Sequence, residues 1–370
     1  MSVKVPFLEL GATYRELQQE IDAGVKRVLE AGWYILGPEV EAFEAEWAAY
    51  CGVKHAIGVA SGLDALVLAL KALDVGPGDE VIVPAHTYIA TWLAVTAVGA
   101  TIVPVEVDEA TYVLSVDAAR AAITSRTKVL LPVHLYGLPV DMDAFCALAQ
   151  EKGLAVVEDA AQAHGARVRG TRVGGHGHLV AWSFYPGKNL GAFGDAGAVT
   201  TNDAALAARV QRLRNYGSDT KYYYEEVGLN SRLDPIQAAI LRAKLKVLDS
   251  WNARRAALAK DYLAALKDIP GLTLPVVPEW ADPVWHVFAV RSQARDALQS
   301  HLAAEGIQTL IHYAVPPHRQ RAYTHLGLAD ALPVAQLLAD ELLSLPIGPQ
   351  LAREAVGLVG DSAMRFCDVR

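Results

Sequence analysis

The chain has 370 residues, 52% apolar and 20% charged, which excludes a disordered segment and allows one large core with a smaller second one. Its formal net charge is −8 with no run of like charges, so neither a general polyanion binder nor a nucleic-acid partner is expected, and a local basic pocket for phosphates stays open. The three cysteines lie far apart, outside any CxxC or Cys/His spacing, which argues against a disulfide framework and a metal site and for reduced thiols in the cytoplasm.

The first residues, MSVKVPFLELGATYRELQQE, reach charged side chains too early for a secretion signal, again an expectation of a cytoplasmic protein. Residues 12–31 and 38–50 read as helices, the second with Pro38 in its first turn after Gly37. From His55 onward, short apolar runs (HAIGVA, EVIVP, TIVPVEV, KVLLPVHL, LAVVED and VAWSFYP) alternate with helical stretches such as LDALVLALKAL, TWLAVTAVG, SVDAARAAI and DMDAFCALAQEKG. Continuous rather than alternating apolar strands predict an α/β fold, with a mostly parallel sheet covered on both faces. Val81 to Val105 carries no formal charge and is long enough to span a bilayer. Pro84, Gly99 and Pro104 cut it into strand, turn, helix and strand, so no membrane partner is expected. Residues 203–214 and 234–267 read as helices, the second leaving the large domain near Ser250. The last 120 residues hold a strand (WHVFAVR), a helix (ARDALQSHLAAEG) and a strand (TLIHY), the pattern of a small α+β domain. The expected division is therefore 1–250 and 251–370.

Ligands of open α/β sheets bind beyond the carboxyl ends of the strands, so the polar residues that end the apolar runs are the candidates. Ser61-Gly62-Leu63-Asp64 follows the first run and opens a helix, where free N–H groups suit a phosphate or Ser61 simply caps a turn. Ala85-His86-Thr87-Tyr88 follows the second run. Asp159 ends LAVVED, where a carboxylate either caps a turn or faces a buried cation. Ser183, Tyr185 and Lys188 end VAWSFYP, and a lysine so placed is either a solvated loop residue or an amine kept deprotonated by burial. Each signal alone is modest; their shared position at successive strand ends makes them one set.

GDEVIVPAHTYIAT, VEDAAQAHGA, SFYPGKNLG and GLNSRLDPIQAAIL resemble the nucleotide-sugar aminotransferases of the DegT/DnrJ/StrS group, and the similarity runs from GWYILGPEVEAFE to LSLPIGP. The resemblance implies the pyridoxal phosphate (PLP) aminotransferase fold of type I, a three-layer αβα large domain with a smaller C-terminal domain. Lys188 would be the Schiff-base lysine and proton shuttle, Asp159 would pair with the pyridine nitrogen and Gln162 with the ring hydroxyl. Tyr88 would stack on the ring, while Gly62 and Leu63 through N–H groups and Ser183 through its hydroxyl would hold the phosphate. Asn230 would reach that phosphate from the partner subunit, implying a homodimer with shared sites. PAHTYIATWLAV, PVHLYG and IHYAVPPHRQRAY look most like the 3-aminotransferases of dTDP-3-keto-6-deoxyhexoses. These would use L-glutamate as donor, pass through pyridoxamine phosphate, and yield a 3-amino-3,6-dideoxyhexose. Tyr185, His312, Tyr313, His318 and the Tyr222-Tyr223-Tyr224 cluster are the substrate-contact candidates, and any of them could instead simply pack. Phe193, Ala196 and Gly175 depart from the residues common in the group, which alters packing rather than chemistry. Family members that dehydrate sugars carry histidine in place of Lys188, so lysine favours amino transfer. Amination at C4 of a 4-keto sugar, or a PLP-binding regulatory protein without turnover, stand as alternatives.

Overall fold

The computed structural model describes residues 3–368. Its centre is a seven-stranded sheet formed by β1 (His55–Val59), β2 (Glu80–Pro84), β3 (Thr101–Val105), β4 (Thr127–Leu130), β5 (Ala155–Asp159), β6 (Leu179–Ser183) and β7 (Gly197–Thr201). The order is β1-β7-β6-β5-β4-β2-β3, with β7 antiparallel to both neighbours and the other pairs parallel. Because β7 runs against both β1 and β6, those two share a direction with β2, β4 and β5. The carboxyl ends of six strands, β3 included, therefore lie along one edge. β2 and β7 are buried along their whole length, which is why they read as unbroken apolar runs.

Helices cover both faces. Pro38–Cys51 starts with Pro38 in its first turn, where a missing N–H costs nothing, and ends at Gly52 in the left-handed conformation. It places Phe43 and Trp47 on β6 and the loop beyond it: Trp47 meets Trp182 edge-on at 4.9 Å and Phe184 at 5.5 Å. Edge-to-face rings at this spacing add to the area they bury, and truncating either Phe43 or Trp47 to alanine would cost about 3–5 kcal/mol.

Two expected helices are interrupted. The stretch 12–31 is two helices, Leu10–Glu16 and Gln18–Ala31, and 234–267 is Pro235–Leu245 followed by Leu248–Leu266. At both breaks the backbone turns to bury a leucine: Leu17 joins a cluster with Ile21, Ile240 and Trp251, and Leu248 enters the main core. TLIHY forms no strand, since only Leu310 bridges, to Ser344.

β8 (Phe288–Arg291) pairs antiparallel with β9 (Leu342–Leu345), and a separate core gathers around them. Leu258, Ala259, Tyr262 and Leu266 of helix Leu248–Leu266 belong to that second core, whereas Leu248 belongs to the first. The expected division at 250 thus falls inside a helix shared by both cores.

Candidate active site

At the shared edge, Ser61 caps helix Gly62–Ala72 by accepting a hydrogen bond from the N–H of Asp64 at 3.1 Å. The first in-helix bond runs from Ala65 to the carbonyl of Ser61, so the N–H groups of Gly62 and Leu63 precede the ladder and point outward. Gly62 lies against the end of β6: a Cβ there would come within 2.5 Å of the Ser183 Cβ. Only glycine lets the helix start approach the serine hydroxyl this closely. Two free N–H groups, a positive helix end and a hydroxyl form an anion cradle.

Asp159 ends β5 and is buried. Its Oδ1 accepts from the N–H of Ala161 at 3.2 Å, and its Oδ2 from the hydroxyl of Thr91 at 2.9 Å. Loss of water raises its pKa above the ordinary carboxylate value, while those two donors and the nearby Lys188 pull it back. Lys188 is half-buried, and desolvation lowers its amine to about 8, with Asp159 opposing the shift. An amine so placed is neutral far more often than a surface lysine, as nucleophilic attack and proton abstraction require.

The loop carrying Lys188 is tied down on both sides. Asn189 donates through Nδ2 to Asn252 Oδ1 and to the Val284 carbonyl, both at 2.9 Å, and its Oδ1 pairs with His286 Nδ1 at 3.1 Å. Lys244, on helix Pro235–Leu245, donates to the Gly191 carbonyl at 2.6 Å. A Cβ on Gly191 would sit 2.4 Å from the Pro186 carbonyl oxygen, so the loop closes tightly on itself.

Gln162 accepts from the N–H of Tyr136 at 2.6 Å and donates to the Tyr313 hydroxyl at 3.1 Å; the Tyr313 ring lies 5.4 Å from that of Tyr88. His312 Nδ1 pairs with the Ser344 hydroxyl at 2.7 Å, and its carbonyl accepts from the Tyr136 hydroxyl, which also meets His86 Nε2. Burial holds His312 at about 4 and pushes the Tyr313 hydroxyl well up, so both are neutral at ordinary pH. Tyr185 projects from the same loop, 57% exposed, with its N–H on the Ser183 hydroxyl at 3.3 Å.

The sequence-derived set divides accordingly. Gly62, Leu63, Ser183 and Tyr185 share the cradle, Asp159 and Lys188 feel each other's charge, and Gln162, Tyr88, Tyr313 and His312 form a connected wall. His318 stands apart: it is 1% exposed, and neither ring nitrogen has a hydrogen-bond partner among the described residues. Tyr223 is 70% exposed between Tyr222 and Tyr224, and Asn230 is exposed in an isolated bridge with Asn215. Thr91, Asn189, Tyr136 and Lys244 were not singled out from the sequence. A threonine four residues from a strand-end threonine was the one available signal, for Thr91.

The doubly wound sheet and the lysine, carboxylate and anion cradle at its edge define a PLP-dependent enzyme of fold type I. Those residues fit the cofactor: an amine of depressed pKa for an aldehyde, a buried carboxylate for a ring nitrogen, and N–H groups for a phosphate. The chain belongs to the DegT/DnrJ/EryC1/StrS aminotransferase family, which it matches over residues 15–363. It is 57% identical to the dTDP-3-amino-3,4,6-trideoxy-alpha-D-glucose transaminase of Streptomyces venezuelae over 99% of this chain and 97% of that protein. It is 59% identical to the erythromycin biosynthesis sensory transduction protein EryC1 of Saccharopolyspora erythraea, over 95% of this chain and 96% of that one. The crystal structure of S. venezuelae DesV in complex with a ketimine intermediate matches with a TM-score of 0.97 at 57% identity, covering 100% of this chain and 99% of that one.

Proposed function

We propose that the protein transfers the amino group of L-glutamate to C3 of a dTDP-linked 3-keto-6-deoxyhexose, giving a 3-amino-3,6-dideoxyhexose. The observation that carries the amino-transfer chemistry is the Lys188 amine close to a buried Asp159 and an anion cradle. The sugar and the C3 position are supported by the similarity to the S. venezuelae transaminase, which is named for a dTDP-3-amino sugar. When bound, PLP supplies an electron sink that lets an amino group leave one carbon and join another. Lys188 Nζ would hold the cofactor's aldehyde carbon, then take the proton from Cα of the donor and deliver one to C3 of the sugar. Asp159 would keep the pyridine nitrogen protonated, Gln162 would hold the ring hydroxyl, and Tyr88 would cover a ring face. Gly62 and Leu63 N–H and the Ser183 hydroxyl would bind the phosphate, with Asn230 reaching it from the partner subunit of a homodimer. Tyr185, His312 and Tyr313 would orient the sugar, and the neutral state of His312 suits a hydrogen bond to an uncharged sugar oxygen. Tyr223 and His318 are the weaker members of the sugar set, the first exposed and the second enclosed.

A regulatory reading is favoured by the sensory-transduction name of the relative from S. erythraea. Against it stands the full set of Lys188, Asp159 and Gln162, which sensing alone would not need. Mixing the PLP-loaded protein with glutamate should bleach the absorption band of the bound cofactor; no change would sink the enzyme reading. Adding dTDP-3-keto-6-deoxyglucose, its galacto epimer or the 4-deoxy analogue, and placing the new amine by NMR, tests the sugar. An amine at C4 would overturn the C3 assignment.

A further inference from the structure

Asp159 has a supporting chain that the proposed chemistry does not yet use. Thr87 follows β2, and Thr91 lies in the first turn of helix Ile89–Ala97, one turn further on. Both are fully enclosed, at 1% and 0% exposure. Their hydroxyl oxygens are 2.9 Å apart, and the Thr91 hydroxyl is 2.9 Å from Asp159 Oδ2. A hydroxyl carries one proton. An ionised carboxylate can only accept, so Thr91 spends its proton on Asp159 and must accept from Thr87. The chain is therefore polarised toward Asp159, and each bond strengthens the next. If Asp159 were protonated on Oδ2, both hydroxyls would have to turn round.

We propose that Thr87 and Thr91 are positioning residues, a two-hydroxyl donor chain that holds Asp159 as a carboxylate aimed at the cofactor's pyridine nitrogen. This rests on the assignment of Asp159 to that nitrogen. Three other groups face Asp159. Lys188 and, across from β4, His134 favour its charge, whereas its charge opposes ionisation of Tyr313. The His134 ring is otherwise committed, with Nε2 on Glu158 at 3.0 Å and Nδ1 accepting from the Val140 N–H at 3.1 Å. Thr91 thus supplies the one side-chain hydrogen bond that Asp159 accepts among the described residues.

The test uses the whole chain, freed of cofactor and titrated with PLP at a series of pH values, reading affinity and the absorption spectrum. Thr91→Val keeps the shape and removes the hydroxyl, so Asp159 takes up its proton at higher pH. Affinity at neutral pH should fall about tenfold, and the acid limb should move up by about one pH unit. Thr87→Val should shift both in the same direction by less, and Thr91→Ser should restore both. A wild-type pH limb in Thr91→Val, or a Thr91→Ser variant as impaired as Thr91→Val, would overturn the proposal. Melting of the cofactor-free variants separates folding damage from this effect. Asp159→Asn tells the two layers apart: if it binds PLP with unchanged affinity and spectrum, the assignment of Asp159 falls and takes the donor chain with it. If Asp159→Asn is impaired while Thr91→Val is not, only the donor chain falls.

Discussion

Lys188 sits in a conflict that can be measured without substrate. Its amine titrates at about 8 in the fold and near 10.5 when unfolded, so between those values the unfolded chain binds more protons. Stability of the cofactor-free protein should rise with pH across that window, and the whole penalty is present below it. Lys188→Met removes the penalty. The variant should therefore gain most over wild type below about pH 8, and the gain should vanish above about 10.5. Lys244, also lowered to about 8, is present in both proteins and cancels from the difference. Denaturant melts at several pH values check this; a constant difference across pH would mean that Lys188 is not desolvated. In the loaded protein, Lys188→Ala should lose covalent PLP and amino transfer while its melting and association state stay near wild type.

At the scale of elements, the loop from Tyr185 to Gly191 is the piece whose rigidity the site depends on. Asn189 fixes it to helix Leu248–Leu266 through Asn252 and to the segment before β8 through Val284 and His286. Asn189→Ala strands these partners without adding a clash, at a cost of about 1–3 kcal/mol for each buried group left unpaired. The expected outcome is a lower melting temperature and faster amide exchange confined to the loop, read by hydrogen–deuterium exchange. Uniform exchange changes would contradict a local tie. None of this was legible in the sequence, where Asn189 reads as a turn residue beside Lys188. Strand ends were legible, because apolar runs stop at Ser61, His86, Asp159 and Ser183 and glycine or proline marks the turns. The breaks at Leu17 and Val247 were not, since no glycine or proline signals them and the gain comes from tertiary burial of leucines. TLIHY failed as a strand for a related reason: its period suits a strand, but its last two residues, His312 and Tyr313, are held by Ser344, Gln162 and Tyr136.

For the whole molecule, two short segments carry several exposed apolar side chains each. Trp33, Tyr34 and Ile35 precede helix Pro38–Cys51, and Tyr216, Tyr222, Tyr223, Tyr224 and Val227 lie just before Asn230. In the proposed homodimer these two segments are the candidates for burial against the second copy, with Asn230 of each copy serving the other's cradle. The shared-site reading then has a quantitative consequence. Asn230→Ala and Lys188→Ala each disable every site in their own homodimers, provided PLP is kept below what Asn230→Ala can retain. In a hybrid, one site collects both defects and the other collects none. Random exchange of subunits makes about half the dimers hybrids, so the mixture should regain about a quarter of wild-type activity. Activity equal to the sum of the separate variants would mean that Asn230 serves its own chain's site, because hybrids would then contain no intact pair. Recovery to about a quarter, appearing at the rate of subunit exchange, would place the two residues of one site on two chains.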